Sequence, residues 1–489
     1  MQSDHWFHEP NPLIANLPVF ASMADLAARL AFHPTAGLNL ATLTDFERIE
    51  LLTGDKMPLE PTEQSIRVAA KCLGMLRGSL KVRNPIRAES RRRYWDFIKT
   101  DQITKAPLMP SPVSGVSALI IKGPTGTGKT VTIQRLCNLL PQVIHHGPCP
   151  EAQWLQMSQL VYLYTNLPSD GTRGGFLLQI LLDLDRALGT DYAGTLFRKF
   201  KTVERLAIAT VVRLVAHYTG IIFIDEGQLR NLMKSDQAEL MQLFLLTLIN
   251  TGIPVVLMGN ELAFDWINYS QDLSRLNTVP AEYHHPIGAI DSEYADDDWS
   301  AFRRGVFGFY VLTEPVREPE RCSDVLRECC GGVQRSGLVL WSESQLEAIF
   351  AGASSIGPED ILKVYAGGSF EKLRPLADGF AKRDPKRLLL FPDVNAAFYA
   401  RAWGKALDDE SESSGGNAGG AKPESKARTE QSKFKAEKTR EAKKQEKREA
   451  LDKTLSPEDI RKRGTQDLHV AGLEKLQEEL ERGSGDGSE

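Results

Sequence analysis

The sequence contains no stretch of about 18 apolar residues, the length a membrane-spanning helix requires. Cysteine is scarce and scattered: Cys72, Cys137, Cys149, Cys322, Cys329 and Cys330 are the only six. The adjacent Cys329 and Cys330 lack a C-x-x-C partner. This spacing argues against both a disulfide scaffold and a zinc ribbon, and leaves reduced thiols packed as small hydrophobes. The opening residues, MQSDHWFHEPNP, lack the basic stretch and apolar run of a secretory signal, so the expectation is a cytoplasmic protein with no membrane partner. An excess of one charge is also lacking. A net charge of −5 on 489 residues predicts neither a nucleic-acid binder nor an acidic surface by itself, because net charge hides its distribution. What is present is an apolar content of 42%, enough to bury a core. Since single cores stop growing at about 250–300 residues, one large domain with flanking pieces is expected.

Four short apolar runs are spaced along the middle of the chain: SALIIKGP, QLVYLYTNLP, GIIFIDE and IPVVLMGN. Near-continuous apolar runs of this length suit strands buried on both faces of a parallel sheet. Amphipathic segments at 129–140, 173–189, 202–218 and 236–251 separate them, an alternation that predicts a doubly wound α/β fold. YHHPIGAI, at 283–290, is the candidate fifth strand. Residues 1–20, with Pro10, Pro12 and Pro18, read as an extended arm. Residues 62–100 read as helical and end in a basic stretch of Arg87, Arg91, Arg92 and Arg93, and 105–115 (KAPLMPSPVSG) read as a loop. Residues 295–350 and 358–366 read as mostly helical, as a lid would be. Beyond about 405 the composition shifts to ESESSGGNAGGAKPES and then a Lys/Glu-rich run. Such a tail cannot bury enough surface to offset chain entropy and reads as disordered, except that QDLHVAGLEKLQEELE could fold as a helix on a partner. The expected division is therefore an N-terminal extension at 1–104, an α/β core at 105–290, a helical lid at 291–404 and a charged tail at 405–489.

GPTGTGKT, from Gly123 to Thr130, matches G-x-x-x-x-G-K-[ST] between a strand candidate and a helical segment, the context that motif requires. Gly126 and Gly128 allow backbone angles that a side chain would forbid. The amides of Gly123, Pro124–Thr127 (proline excepted), Gly128 and the following Val131 can then face phosphates at a helix N-terminus. Lys129 reaches the β- and γ-phosphates and Thr130 offers a hydroxyl to Mg²⁺, so the implied ligand is ATP with Mg²⁺. GIIFIDE ends in Asp225 and Glu226, a buried strand whose tip emerges at the ligand crevice. Asp225 would orient a metal-bound water and Glu226 would polarise the attacking one; two acids after a strand can also be a plain helix cap. VVLMGN ends in Asn260, placed to reach between Glu226 and the γ-phosphate, as the sensor of AAA+ ATPases does. Phosphoryl transfer also needs positive charge on the transition state. Arg275, in DLSRLN, stands where AAA+ proteins carry an arginine finger, and Arg335, in GGVQRSG, is the sensor-two candidate; each is equally readable as a surface arginine. Together these motifs define the expected fold class: an AAA+ P-loop NTPase with a doubly wound parallel sheet, a C-terminal helical lid and a disordered tail.

Longer stretches carry a more specific likeness. RGSLKVRNPIRAESRRRYWD resembles the segment before the P-loop of TnsC-type transposition ATPases. LVYLYTNLPSDGTRGGFLLQILLDLDRALGTDY resembles their second-strand region, and FIDEGQLRNL, VVLMGNELAF, DDDWSAFRRGVFGFYVLTEP and CGGVQRSGLVLWSESQLEAI continue the likeness in order. The lid motif reads G-V-Q-R-S where the family has G-I-x-R-L. The resemblance spans roughly 65–365. It implies a TnsC/TniB-type regulator that oligomerises on double-stranded DNA in an ATP-dependent manner. Such a regulator links a target selector of the TnsD/TniQ type to the transposase, TnsA and TnsB, and hydrolysis disassembles or repositions the assembly. It also implies DNA contacts at Thr172 and Arg173, after the second strand, and at Lys199 and Lys201 in RKFK, through phosphates and hence without sequence preference. Lysine–glutamate blocks on a glycine-rich linker are solubilising, and a tethered tail can also recruit a partner at high effective concentration; here that partner would be the transposase. Two other readings stand beside it: a different AAA+ class, such as a helicase loader or a secretion-linked ATPase, and a nucleotide-binding scaffold that never hydrolyses. Intact Lys129, Asp225 and Glu226 count against the scaffold.

Overall fold

The structure is a computed structural model that describes residues 6–100, 116, 118–168, 172–225, 237–264 and 279–407. Its centre is a parallel sheet of β1 (Ala118–Lys122), β4 (Tyr162–Asn166), β5 (Ile221–Asp225), β6 (Val255–Met258) and β7 (Glu282–Tyr283), in the order β4-β5-β6-β1-β7. The four apolar runs are the four long strands, and the amphipathic segments between them are the helices Lys129–Asn138, Arg173–Leu188, Val203–Ala216 and Gln237–Asn250.

Side-chain alternation sorts the strand residues into two layers. Leu119 and Ile121, Ile221 and Phe223, and Val256 and Met258 face the P-loop helix Lys129–Asn138 together with the N-terminal helices. Ala118 and Ile120, Ile222 and Ile224, and Val255 and Leu257 face the helices Arg173–Leu188, Val203–Ala216 and Gln237–Asn250. No strand side chain along β5 or β6 reaches solvent, which is why those runs carry no polar residue until their last position or beyond.

Two sequence expectations differ from the structure, and one element lies where the sequence reading has none. The fifth strand is only Glu282–Tyr283, paired with Ile121 and Lys122, and the backbone then turns away at Pro286, which has no N–H to extend the ladder. A second sheet, the antiparallel hairpin β2 (Val143–His146) and β3 (Met157–Leu160), has no counterpart in the sequence reading beyond the start of the QLVYLYTNLP run. The N-terminal residues do not form an extended arm. Asn11 caps the short helix Pro12–Ala15, Leu13 is 0% exposed, and the side chains of Asn84 and Gln159 donate to the Pro10 and Leu13 carbonyls at 2.9 and 3.1 Å. This segment packs on the helix Glu63–Val82, whose buried Val68, Ala69, Cys72, Leu73, Leu76 and Leu80 recur at helical spacing.

Residues 295–381 form a helical layer, Ala295–Gly308, Pro319–Cys330, Gln334–Phe350, Pro358–Ala366 and Arg374–Ala381, around its own core. The central helix Gln334–Phe350 is buried on several faces, and its Trp341, 0% exposed, donates to the Phe309 carbonyl at 2.9 Å. All six cysteines are free thiols, five of them buried. Among the described residues no helix is long and apolar enough to cross a membrane. The tail from 408 onwards, including the candidate helix at 466–481, lies outside the described residues.

If the N-terminal segment braces the core, Leu13→Ala should lower the unfolding free energy by about 2–5 kcal/mol, the usual cost of emptying a buried leucine site. Denaturant unfolding measures this directly; an unchanged midpoint would show that the segment does not pack there in solution.

Candidate nucleotide site

The site forms where β1 ends and the P-loop helix begins. Gly126 and Gly128 have φ of +89° and +83°, in the left-handed region that disfavours any side chain. Gly123 is required for a further reason: a Cβ there would sit 2.2 Å from the His284 carbonyl oxygen, because the chain leaving β7 runs directly behind the loop. Within the loop Thr127 Oγ1 donates to the Pro124 carbonyl at 2.9 Å, and Thr125 is exposed. The Val131 side chain is 40% exposed, so this residue turns its backbone, and not its isopropyl group, toward the loop.

Lys129 lies along the inside of the loop and donates to the Gly123 and Pro124 carbonyls, at 2.8 Å each. Burial pushes its ammonium pKa down to about 8, against the opposing pull of the Asp225 and Asp393 carboxylates. The charge is thus held in place by dipoles that an anion can replace. Asp225, at the buried tip of β5, accepts on a single oxygen, Oδ2, from Thr130 Oγ1 at 2.8 Å and from the Tyr164 hydroxyl at 2.6 Å. Asn260, just past β6, is buried, and among the described residues its Oδ1 has no hydrogen-bond partner. The next residue, Glu261, accepts from Asn395 Nδ2 at 3.0 Å.

The lid reaches the loop from the other side. The backbone N–H of Arg335, second residue of the helix Gln334–Phe350, donates to the Gly126 carbonyl at 3.0 Å, and the Arg335 side chain is exposed beside it. A Cβ on Gly128 would lie 2.8 Å from the Gln334 side-chain oxygen. Thr125 Oγ1 donates to Asp393 Oδ2 at 3.3 Å. His284, fully enclosed, contacts the Thr127 carbonyl through Nδ1 at 3.3 Å; burial and the nearby Lys129 charge push its pKa down to about 4, so it is neutral at pH 7.

Of the residues expected from sequence, Gly123–Val131, Asp225, Asn260 and Arg335 gather around one loop. Glu226 and Arg275 lie outside the described residues. Thr172 is exposed and caps the helix Arg173–Leu188 by accepting from Gly175 N at 3.0 Å. Lys199 and Lys201 are exposed. Arg173 differs from these: its side chain is 11% exposed, lies 3.7 Å from Glu204, and is turned into the helix pair. In the basic stretch before the P-loop, Arg87 pairs with Glu9 and Arg91 donates to the carbonyls of Pro85, Ile86 and Glu151, while Arg92 and Arg93 stay exposed, Arg93 on Glu89 of its own helix. Sequence reasoning missed Tyr164, His284, Gln334 and Asp393; only Tyr164 left a trace, as the polar-edged member of an alternating YLYTN run.

The donor set fits ATP with Mg²⁺. A left-handed glycine loop, a buried ammonium on replaceable partners, a hydroxyl–carboxylate pair and an orphaned buried amide oxygen converge as phosphates and a hard cation require.

Residues 114–267 match the AAA domain family. The parallel sheet in the order β4-β5-β6-β1-β7, the P-loop between β1 and its helix, and the helical layer beyond make the fold that of an AAA+ P-loop NTPase with a C-terminal helical lid. Among solved structures, the ORC2 protein of Aeropyrum pernix (ADPNP–ADP complexes) is similar at 14% identity and a TM-score of 0.39, over 72% of this chain and 82% of that one. The Aeropyrum pernix ORC1 protein in complex with DNA gives 17% and 0.38, over 65% and 68%. The Thermotoga maritima RuvB Holliday junction branch migration motor gives 13% and 0.31, over 60% and 75%. No curated protein matches the chain.

The low Lys129 pKa has a pH signature. Below about pH 8 the ammonium keeps its proton; above it the free site loses the positive charge that phosphate needs. ATP affinity should therefore fall as pH is raised from neutral through about 9.5, approaching about tenfold per pH unit, the limit for one proton. Lys129→Ala should bind weakly throughout, with no such slope. A flat wild-type profile, measured by equilibrium binding, would contradict the burial of this group.

Proposed function

We propose that this chain is an ATP-switched regulator of DNA transposition of the TnsC/TniB type. In this reading residues 1–104 brace the core, 105–290 hold the nucleotide, 291–404 are the lid and 405–489 are a tether. The observation that carries the switch is the bond from Arg335 N to the Gly126 carbonyl, together with the Thr125–Asp393 contact. The Arg335 N–H and the Thr125 hydroxyl are donors that a phosphate oxygen could also claim, so nucleotide occupancy and lid position are coupled by competition for these two donors. The ordered likeness of residues 65–365 to transposition ATPases supplies the biological class.

Lys129 binds the β- and γ-phosphates and releases its two loop carbonyls in doing so. Thr130 and Asp225 hold Mg²⁺, which when bound neutralises charge on the phosphates. Glu226 and Asn260 orient the attacking water, Arg335 contributes positive charge from the lid, and Arg275 contributes it to a neighbouring copy, which makes the hydrolysing unit a homo-oligomer. Double-stranded DNA lies along Thr172, Lys199 and Lys201. The packing of Val203 near Gly174 and of Glu204 near Arg173 supports grouping these residues, since it brings the start of the helix Val203–Ala216 against the start of the helix Arg173–Leu188. Arg173, paired inward, is an auxiliary to this surface and would need to turn out to reach a phosphate. The target selector of TnsD/TniQ type and the transposase are the protein partners, met in the cytoplasm. A helicase loader would share the nucleotide site and is the second reading.

Two measurements test the proposal. Electron microscopy with double-stranded DNA should show ATP-dependent rings or filaments that Glu226→Gln stabilises and ADP does not support; no DNA-bound assembly in any nucleotide state would sink the transposition reading. Replacing Lys199 and Lys201 by alanine should weaken DNA binding evenly across sequences and reduce the log–log salt slope by about one per lysine. An unchanged slope would remove this surface from the DNA path.

A further inference from the structure

Tyr164 is the third residue of β4, a strand that carries no residue of the nucleotide motifs. The register pairs Tyr164 with Phe223 and Asn166 with Asp225. Because faces alternate along a strand, Tyr164 and Asp225 share the face that meets the P-loop helix, with Tyr164 one diagonal step behind the acid. Such a step is within reach of a long aromatic side chain and beyond that of a short hydroxyl. Its O–H donates to Asp225 Oδ2 at 2.6 Å, the length of a charge-assisted bond, and Thr130 Oγ1 donates to the same oxygen at 2.8 Å. Gln134, one turn along the P-loop helix from Thr130, also interacts with the phenol. The hydroxyl therefore spends its one proton on Asp225 and joins β4, β5 and the P-loop helix at a single point.

We infer that Tyr164 is a positioning residue for the metal end of the nucleotide site: its hydroxyl fixes the Asp225 carboxylate, and the carboxylate in turn fixes the Thr130 hydroxyl. The reasoning is about direction. A threonine hydroxyl has one proton and a rotor free to turn. With the proton drawn to Oδ2, its lone pairs are aimed away from Asp225, where a cation can use them. If Oδ2 swings, the rotor swings with it. Outer partners of this kind orient metal-binding groups, and their loss typically costs 10–100-fold in metal affinity. The packing of the ring is a separate matter, since Tyr164 also lines the apolar layer on that face of the sheet, and phenylalanine would serve there equally well.

This inference rests on the reading that Thr130 and Asp225 hold Mg²⁺, and the test separates the two. A fluorescent ATP analogue is titrated onto the full chain in EDTA and then over a Mg²⁺ series, for the wild type, Tyr164→Phe and Asp225→Asn, with thermal unfolding of each nucleotide-free protein as a check on folding. Tyr164→Phe should bind the analogue in EDTA as the wild type does, while its Mg²⁺ half-saturation point rises about tenfold, the lower end of the usual range. A wild-type half-saturation in Tyr164→Phe, alongside a shifted one in Asp225→Asn, would overturn the role of Tyr164 alone. Equal losses with and without Mg²⁺ would reduce it to packing and also overturn the inference. An Asp225→Asn variant with unaltered Mg²⁺ dependence would remove the metal reading, and the inference with it.

Discussion

A parallel sheet covered on both faces admits water nowhere except at its strand ends, and this single constraint organises the molecule. Ile221–Ile224 and Val255–Met258 are apolar on both faces because each face meets a layer of helices. A charged group on either strand can exist only where the strand stops. Asp225 stands at the last position of β5, Asn260 two residues past β6, and the P-loop at the end of β1, which side-by-side pairing brings to the same edge. Burial of the sheet thus concentrates the polar chemistry along one crevice. Burial also explains the state of the groups there. Lys129 loses proton affinity for lack of water, and Asp225 accepts two short hydrogen bonds on one oxygen.

The two flanking pieces meet this edge with different strength. The N-terminal segment is bound by apolar burial, with Leu13, Leu17, Leu26 and Leu30 merging into the same layer as Leu119 and Ile121. The lid has its own core around Trp341, and it touches the P-loop through a few hydrogen bonds, each worth about 0.5–1.5 kcal/mol net. A contact of that size is within the reach of phosphate binding to override, whereas the N-terminal packing is not.

Charge on the surface follows a similar logic. In the basic stretch around Arg87–Arg93, Arg87 and Arg91 are taken up by a carboxylate and carbonyls of the chain itself, so density of arginine is a poor guide to a phosphate-binding face. Lys199 and Lys201, sparser in sequence, are exposed, with Lys199 over the Phe200 ring. Folding brings the Glu9 carboxylate and the Glu151 carbonyl to the arginine stretch, and no short sequence window contains either together with it, whereas Glu89 is a neighbour on the same helix.

The sequence by itself determined the four long strands, the four helices between them and the P-loop, because each is a local pattern: an apolar run without polar interruption, a helical period, a spacing of glycines before Lys129 and Thr130. It also made Asp225 and Asn260 legible, since a polar residue directly after a buried run must sit at a crevice. It did not determine the β2–β3 hairpin, whose half-buried four-residue strands carry too weak an alternation to stand out from the prolines around them. Nor did it show that Leu13 is core, because one leucine in a proline-rich stretch has no period to read. Only the tertiary structure decided that His284 closes the back of the loop, that Gln334 and Asp393 reach it from the lid, and that Tyr164 bonds Asp225. These contacts join residues 61 to 268 positions apart, and their existence depends on strand order and register, which no local pattern encodes.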